Sequence, residues 1–369
     1  MYDQIREDTL FIMLYTVATT MAMMACCYLL FRRANAIAHD ITSPVRLRRW
    51  TGVFFAFIAL NHVWYIPIFF LSSNKDILMT DLIGGLLDFM TVFPLAIIVL
   101  FVMLQDRRRP LWPVAVMMAP LVAGGVFSVA TRSYALQSIL YVYSLLMCIG
   151  LVIYFVRALK QYGHWLRDNY ADLEHKEVWQ SFVLLAIMLL VFVIYAYTSK
   201  GPSYQYAMQV IIVVLICYLS WRVETLSELS LPINDMAEEM VTTKNVEDNG
   251  LSSSIRNNIG PLLKQHCEEP QLYLQHDISV TQLAMLIGTN RVYLSQYFTN
   301  QGTNYSTYIN GLRIQHFINL YHESAKSHQT IITKQLASQS GFRSYSTFSA
   351  AFKQVMGMTA TEWMRDQME

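Results

Sequence analysis

Long apolar runs separated by short polar joints fill the first 222 positions of the chain. Seven of these runs reach the ~20 residues that a helix needs to cross the hydrocarbon core of a bilayer. They cover residues 10–31, 51–71, 82–104, 111–130, 135–156, 178–198 and 204–221. Buried helices of a soluble protein rarely follow one another in this way with charges confined to the joints. The pattern therefore predicts a seven-helix transmembrane bundle over residues 1–222.

The hydrophobic pattern changes after residue 222. Residues 223–277 read as a polar linker, with one short helix expected in SIRNNIGPLLKQHCEE at 254–269. Residues 278–369 have the mixed, helix-periodic pattern of an ordinary soluble domain. The predicted fold class is all-α, with a transmembrane bundle followed by a soluble helical domain.

Composition agrees with this division. The chain is 54% hydrophobic, 13% aromatic and only 14% charged, whereas soluble proteins carry about 25% charged residues. The net charge of +1 averages two unlike halves. From Ile278 onward seven Lys and Arg face four Asp and Glu. This mild basic excess permits nucleic-acid binding without indicating it.

Lys and Arg are distributed unevenly between the joints. Thirteen follow the odd-numbered spans, and four lie before the first span or after the even-numbered ones. Positively charged joints face the cytoplasm, so we expect the N-terminus outside and the C-terminal domain in the cytoplasm of a bacterial cell, at the inner membrane. The first residues, MYDQIRED, are acidic, unlike a cleaved signal peptide. We expect the first span to remain as an anchor.

The joint after the fifth predicted span is the longest, QYGHWLRDNYADLEHKEVWQ at 161–180. Its Trp165, Leu166, Tyr170 and Leu173 fall near helical spacing among charged residues. This spacing favours an amphipathic helix in the membrane interface. A cytoplasmic extension of the fifth span is equally compatible with it.

A histidine, an asparagine and an aspartate lie inside predicted spans, where ionisable groups are costly and usually face the bundle interior. They are Asn61 and His62 in the second span and Asp88 in the third. Counting from the outer ends of two adjacent antiparallel helices places them at similar depth. One interpretation is a polar pocket, open to the outside, for a small ligand or a proton. The other is a buried structural hydrogen bond.

Chemistry-bearing motifs of common enzymes are missing from the sequence. There is no HExxH, no GxSxG and no Gly-rich phosphate loop. The five cysteines show no metal-ligand spacing and read as reduced packing residues. We expect neither an enzyme nor a bound metal or cofactor.

The terminal domain contains an internal repeat. Residues 283–298 read LAMLIGTNRVYLSQYF, and residues 336–352 read LASQSGFRSYSTFSAAF. Leu283, Ala284 and Gly288 match Leu336, Ala337 and Gly341, and the match continues from GTNYSTY at 302–308 to GMTATEW at 357–363. Two copies of one supersecondary unit are therefore present.

Each copy has the pattern of a helix-turn-helix. A glycine, Gly288 or Gly341, suits a turn with positive φ. The second helix buries Leu294 and Phe298 in the first copy, and Phe348 and Phe352 in the second, at positions i and i+4. The outward positions then form a candidate surface for base edges and phosphates. Its predicted DNA-binding residues are Asn290, Arg291, Val292, Ser295, Gln296, Arg343, Tyr345, Ser346, Ser349, Ala350 and Lys353.

These motifs resemble the DNA-binding domain of the AraC/XylS family of bacterial transcription regulators, over about residues 278–366. The resemblance includes a long linking helix with an Arg, here Arg313, and the closing Gly357-Met358-Thr359-Ala360. It implies two recognition helices entering successive major grooves of double-stranded DNA, ~34 Å apart, and RNA polymerase as a partner.

The sequence departs from the family at four positions. Ala360 stands where Pro is usual and Trp363 where Tyr is common, and both should be tolerated. Gln296 and Ala350 stand where Arg is frequent. Each missing contact is worth roughly 1–3 kcal/mol, so we expect modest base readout per chain and a homodimer for tight binding.

The resulting prediction is a membrane-tethered regulator that senses a small molecule or an envelope signal through its spans. The alternative is a transporter or intramembrane enzyme whose fused DNA-binding module reports occupancy. Release of the domain by proteolysis is a third possibility.

Overall fold

The structure is a computed structural model that describes residues 8–32, 35–38, 41–71, 73–131, 135–198, 202–229, 258–327 and 332–367. Over these ranges the regular elements are all helical. The chain divides into two compact units. The first is Met1–Lys160 with His175–Leu229, and the second is Gln161–Glu174 with Ser230–Glu369.

In the described ranges, eight α-helices precede the terminal domain. They are α1 (Thr9–Phe31), α2 (Val45–Tyr65), α3 (Asn74–Met90), α4 (Val92–Met103), α5 (Trp112–Thr131), α6 (Gln137–Asn169), α7 (Trp179–Thr198) and α8 (Pro202–Thr225), with a 3₁₀ turn at Ile66–Phe69. Within the described ranges six helical stretches are apolar and long enough to cross a membrane. They are Thr9–Phe31, Val45–Ile68, Ile83–Met103, Trp112–Thr131, Ser138–Asn169 and Gln205–Thr225.

The count of six differs from the seven spans predicted. The difference lies at the predicted span 178–198, which corresponds to helix α7. Within α7, the described stretch Trp179–Met188 is apolar but shorter than the six stretches above. The other six predicted spans each coincide with one of the six stretches.

The third predicted span is interrupted. Helix α3 ends at Met90 and α4 begins at Val92, with Thr91 at φ −125° and ψ −70° between them. Pro94 explains the interruption, because a proline ring clashes with the carbonyl four residues earlier, here that of Met90. Helix α3 also begins at Asn74, eight residues before the predicted span 82–104.

Helix α6 runs without interruption for 33 residues. At 1.5 Å per residue it is roughly 50 Å long, more than a bilayer core requires. The segment after the fifth span is therefore an extension of that span as far as Asn169, and the separate interfacial helix is not formed. Residues 161–174 fold with the second unit.

Buried polar groups hold the end of α8 in the first unit. The Glu224 side chain is fully buried, and its carboxylate accepts hydrogen bonds from the Tyr28 hydroxyl and the backbone N–H groups of Ala36 and Ile37. The side chain of Gln105 bonds to the backbone of Ser227 and Leu229 at 3.0 Å each. These contacts fix the point at which the chain leaves the helices.

The described residues of the second unit contain seven more helices. They are α9 (258–263, continued by a π-helical turn at Lys264–Glu268), α10 (Val280–Leu286), α11 (Arg291–Asn300), α12 (Tyr305–Lys326), α13 (Thr333–Gln339), α14 (Tyr345–Met356) and α15 (Ala360–Asp366). The predicted helix at 254–269 corresponds to α9 and its π turn, and residues 254–257 of that prediction lie outside the described residues. Ile259, Leu263 and Cys267 of this helix join the core of the first repeat.

Two hydrophobic cores lie along the long helix α12. The first collects α9, α10, α11 and the start of α12, including Leu283, Leu294 and Phe298. The second collects the rest of α12 with α13, α14 and α15, around Phe317 and Phe352. Each repeat therefore has its own core, and α12 contributes to both.

Candidate DNA-binding surface

The first helix-turn-helix is formed by α10 and α11. Ser279 caps α10 in a reciprocal capping box with Gln282, and the side-chain oxygen of Asn290 accepts a hydrogen bond from the Tyr293 N–H at 2.9 Å to cap α11. Gly288 has φ +73° in the turn. Serine and asparagine caps followed by apolar positions are strong local signals for a helix start.

The second helix-turn-helix is formed by α13 and α14. Ser344 caps α14 by accepting a hydrogen bond from the Thr347 N–H at 3.3 Å, and Gly341 has φ +87°. The positive φ predicted for both turn glycines is confirmed.

The recognition helices bury the residues that their spacing indicated. Leu294 and Phe298 are at most 2% exposed, and Phe348 and Phe352 are fully buried. The opposite faces are open. Val292 is 70% exposed. The other exposed predicted residues are Asn290, Gln296, Tyr345, Ser346, Ala350 and Lys353, and the partly exposed ones are Arg291, Ser295, Arg343 and Ser349.

Some of the predicted DNA-binding side chains already have protein partners. The oxygen of Asn290 is used by its helix cap, and the Oγ of Ser346 lies 2.8 Å from the Oγ of Ser344. The Nη1 of Arg343 lies 3.4 Å from the Oδ2 of Asp277 in a partly exposed ion pair. Gln296 borders a small cavity with Ile259 and Tyr297. Gln296 and Lys353 are both exposed on the outward faces of their helices.

Arg313 of α12 is fully buried at the junction of the two repeats. Its Nε donates to the Tyr273 carbonyl and its Nη2 to the Gln275 carbonyl, each at 2.7 Å, and its guanidinium lies 5.6 Å from the Phe342 ring centre. Burial lowers the pKa of Arg313, and nearby Asp172 opposes that shift. One of the seven basic residues of the domain is therefore structural and does not face DNA.

The last helix, α15, is closed by a capping box between Thr359 and Glu362. Ala360 is its first residue and is buried, while Trp363 packs against Phe352 and Tyr321 with ring centres 5.9 and 5.1 Å apart. The Trp side chain thus fills the second core.

We expect Ala360→Pro to raise the stability of the domain by about 0.4–1 kcal/mol. Proline suits the first position of a helix, and Thr359 has φ −75° and ψ 154°, the extended conformation that a residue before proline adopts. Thermal unfolding of the purified full chain measures the effect. Ala360→Gly is the matched control and should lower stability, because glycine adds freedom to the unfolded chain. A destabilised proline variant would contradict the expectation.

Some residues at this surface were not found from the sequence. Thr347 of α14 donates from its hydroxyl to the Glu174 Oε2 at 3.1 Å. Arg291 interacts electrostatically with Asp168 and Tyr170. More than a hundred positions separate these partners along the chain, so no local pattern could indicate them.

The asparagine, histidine and aspartate of the predicted spans form two separate groups. The Asn61 amide donates to Asp88, and the Tyr65 hydroxyl donates to the Asp88 Oδ2 at 3.0 Å. His62 is buried and faces elsewhere, with Nε2 3.0 Å from the Gln209 Oε1 and Nδ1 2.8 Å from the Ile58 carbonyl. Consecutive helical residues point about 100° apart, so Asn61 and His62 contact different helices.

The described side chains do not form a metal-binding geometry. Among the residues that the structure describes, no group of three or more His, Cys, Asp or Glu side chains converges on a point. All five cysteines are free. Burial raises the pKa of Cys267 to about 12, so this thiol is unreactive at neutral pH.

A comparison with protein families identifies residues 274–366 as a helix-turn-helix domain. The match covers α10 to α15 and both repeats. Neither the comparison with curated proteins nor that with solved structures finds a significant match. From its repeat, its two recognition helices and this match, the segment 274–366 is a helix-turn-helix domain of the AraC type, as found in DNA-binding transcription regulators.

Proposed function

We propose that the chain is a membrane-tethered transcription regulator that binds specific promoter sequences and responds to a signal received by its apolar helices. The observation that carries this proposal is the pair of exposed recognition-helix faces on one helix-turn-helix domain, joined to a chain with six helices apolar enough for a bilayer.

The domain supports a defined mode of DNA binding. Recognition helices place their N-terminal residues against base edges of the major groove. Here those positions carry Arg291 and Val292 on α11, and Tyr345 and Ser346 on α14. Two such helices per chain would read two groove segments, and a homodimer would read repeated half-sites. RNA polymerase at the promoter is the further partner that this function requires.

Selection of bound DNA tests the central claim. The purified full chain in detergent is mixed with random 40-base-pair duplexes, and bound duplexes are amplified and sequenced over several rounds. We expect enrichment of a recurring motif with half-sites at helical-turn spacing. If neither the unchanged chain nor any of its variants enriches a sequence over the input, sequence-specific binding is ruled out.

Two substitutions should separate base readout from phosphate contact. Gln296→Ala should relax the preference at one base pair and cost roughly 1–3 kcal/mol on the selected site. Lys353→Ala should weaken binding to all duplexes alike and lower the salt dependence of the binding constant by about one charge. Lys326→Ala is the control, because that exposed lysine lies at the far end of α12. Equal effects of the three variants would contradict the assigned surface.

Membrane placement follows from the distribution of Lys and Arg, which favours the N-terminus outside and the DNA-binding domain inside at the bacterial inner membrane. We expect a C-terminal fluorescent reporter, which folds only in the cytoplasm, to be active. A C-terminal alkaline phosphatase, which needs the periplasm, should be inactive. The opposite pair of results would refute the topology.

The proposed places for a small ligand or a proton are the Asn61–Asp88 pair and, separately, His62. Support comes from their hydrogen bonds across α2, α3 and α8, because a ligand that competes for these bonds would shift the helices relative to one another. Once a target promoter is known, Asp88→Asn and His62→Ala should change its output in cells, whereas Thr20→Ala on α1 should not. Unchanged output in both test variants would remove both places from the proposal.

A further inference from the structure

Residues 161–174, which we call the docked segment, fold as part of the DNA-binding unit. Ala171 is 1% exposed and belongs to the core of the first repeat. Its carbonyl accepts hydrogen bonds from the Ser306 hydroxyl and the Asn310 amide, both at 3.4 Å. Tyr170 forms an antiparallel backbone bridge with Ser279. The segment therefore lies against the helix-turn-helix domain itself.

Two carboxylates of the docked segment act on the two recognition helices. Glu174 contacts the second directly, because its Oε2 accepts a hydrogen bond at 3.1 Å from the hydroxyl of Thr347, the third residue of α14. Asp168 attracts the charge of Arg291, the first residue of α11. Arg291 and Thr347 both lie in the first turn of their helices, where the helix dipole favours negative charge. Asp168 and Glu174 are only six positions apart, so this short stretch of the segment acts on the N-terminal ends of both recognition helices.

Bound DNA would use the same helix N-termini and side chains as the docked segment. Phosphates bind at helix N-termini and to arginine and hydroxyl side chains, and the N-terminal residues of a recognition helix meet the bases. Of the three carboxylates in the docked segment, Asp172 is buried and acts on Arg313. Asp168 and Glu174 act on the recognition helices, so their negative charge lies where the phosphate backbone of a duplex would approach.

Some polar atoms near this contact have long hydrogen bonds or no hydrogen-bond partner, as expected for a contact that can open and re-form. The two hydrogen bonds to the Ala171 carbonyl are at the long end of the usual range. Among the described residues, the Oδ1 of Asn310 and the Nη1 of Arg313 are buried without a hydrogen-bond partner. Each such atom costs roughly 1–3 kcal/mol. Both lie on α12, the helix that receives the segment.

We propose that residues 161–174 are an autoinhibitory segment that competes with DNA for the N-terminal ends of both recognition helices. This inference rests on the proposed function of the domain. Helix α6 is continuous from Gln137 to Asn169, so the segment is the direct extension of an apolar helix. A shift of that helix that withdraws Asp168 and Glu174 frees Arg291 and Thr347 for DNA.

Removal of the two carboxylates tests the competition. Full-length Asp168→Asn/Glu174→Gln in detergent should bind the duplex enriched by selection at least about fivefold more tightly than the unchanged chain, the lower end of typical coupling between sites. Glu323→Gln/Asp366→Asn is the matched control. It removes the same charge from exposed positions of α12 and α15, so it measures the nonspecific electrostatic gain. No gain beyond this control overturns the inference.

A reversible lock provides the second test. Residues paired in an antiparallel bridge have Cα atoms about 4.5–5.5 Å apart, within the range that a disulfide spans. Oxidised Tyr170→Cys/Ser279→Cys should therefore bind the duplex at least about fivefold more weakly than the same protein after reduction. Each single-cysteine variant is the control for cap loss at Ser279 and for oxidation itself. If the locked protein binds DNA as tightly as the reduced one, the segment is a permanent part of the binding-competent fold.

Failure of the inference is distinguishable from failure of the proposed function. Enrichment by the carboxylate variant alone supports both. Enrichment by the unchanged chain, with no response to carboxylate removal or to the lock, leaves the function and refutes autoinhibition. When no variant enriches any sequence, the proposed function fails and autoinhibition fails with it.

Discussion

Arg313→Met is expected to lower the free energy of unfolding of the DNA-binding domain by about 3–5 kcal/mol, the usual cost of removing one partner from a buried charged network. The Tyr273 and Gln275 carbonyls lose donors at 2.7 Å, and a buried carbonyl without a partner costs roughly 1–3 kcal/mol. Methionine has a similar length and keeps the apolar contacts of the side chain, so the loss reports the hydrogen bonds and the charge.

Arg313 is costly to replace because it connects three parts of the domain. From the middle of α12 it holds the segment before α10 by two carbonyls and touches Phe342 beside the second turn. Its charge also faces Asp172, which is buried. Without the guanidinium, that carboxylate loses its attraction in a poorly solvated place.

Hydrogen exchange measures this effect in the full chain. The amides of α12 should exchange at least about a hundredfold faster in the methionine variant. A loss of about 3 kcal/mol corresponds to this factor, because each 1.4 kcal/mol changes the opening equilibrium about tenfold. Arg365→Met on the exposed side of α15 is the control and should change the free energy by no more than about 0.5 kcal/mol. Equal exchange rates in the two variants would show that the buried network does not stabilise the domain.

Gly341→Ala is expected to destabilise the second helix-turn-helix by roughly 2–5 kcal/mol, whereas Gly288→Ala in the first should cost only about 1–2 kcal/mol. Both glycines have positive φ, +87° and +73°, so both alanines carry the same backbone strain. A methyl group at 341 would also lie 2.7 Å from the Leu274 Cα and 2.8 Å from its carbonyl oxygen. At 288 a methyl group meets nothing within 4 Å.

The pair of glycine variants is its own control, because the chemical change is identical and the two turns are equivalent in the repeat. Thermal unfolding of the full chain, with hydrogen exchange of α14 and α11, gives the two costs separately. The crowding at 341 involves backbone atoms, which cannot rotate away as a flexible side chain can. Equal costs at the two positions would mean that the backbone near Leu274 relaxes freely.

The local sequence pattern was sufficient to predict the helix-turn-helix repeat. Spacing alone indicated that Leu294 and Phe298, and Phe348 and Phe352, face inward, and they are buried. It was sufficient as well for the turn glycines, whose φ is positive. Periodicity and turn chemistry are properties of neighbours in the chain, so a sequence displays them directly.

The apolar helices were harder to read in detail. Apolar length predicted seven spans, and six of them coincide with helical stretches suited to a bilayer in the described ranges. Depth along the helices placed His62 and Asp88 at one level, whereas in the structure it is Asn61 that contacts Asp88. Depth did not show that His62 turns toward Gln209 of α8. It specifies how deep a residue lies in the bundle, but not which neighbouring helix its side chain contacts.

Long-range contacts explain the remaining difference. The pattern of residues 161–180 was compatible with a separate helix or an extension, and nothing in it pointed to Ala171 in the core of a domain that begins a hundred positions later. The same holds for Arg313, whose importance depends on carbonyls at 273 and 275. Hydrophobic period and caps specify which elements form, since they act within a few residues. Which buried polar groups meet depends on how the finished helices pack, since burial and charge pairing act between positions that only folding brings together.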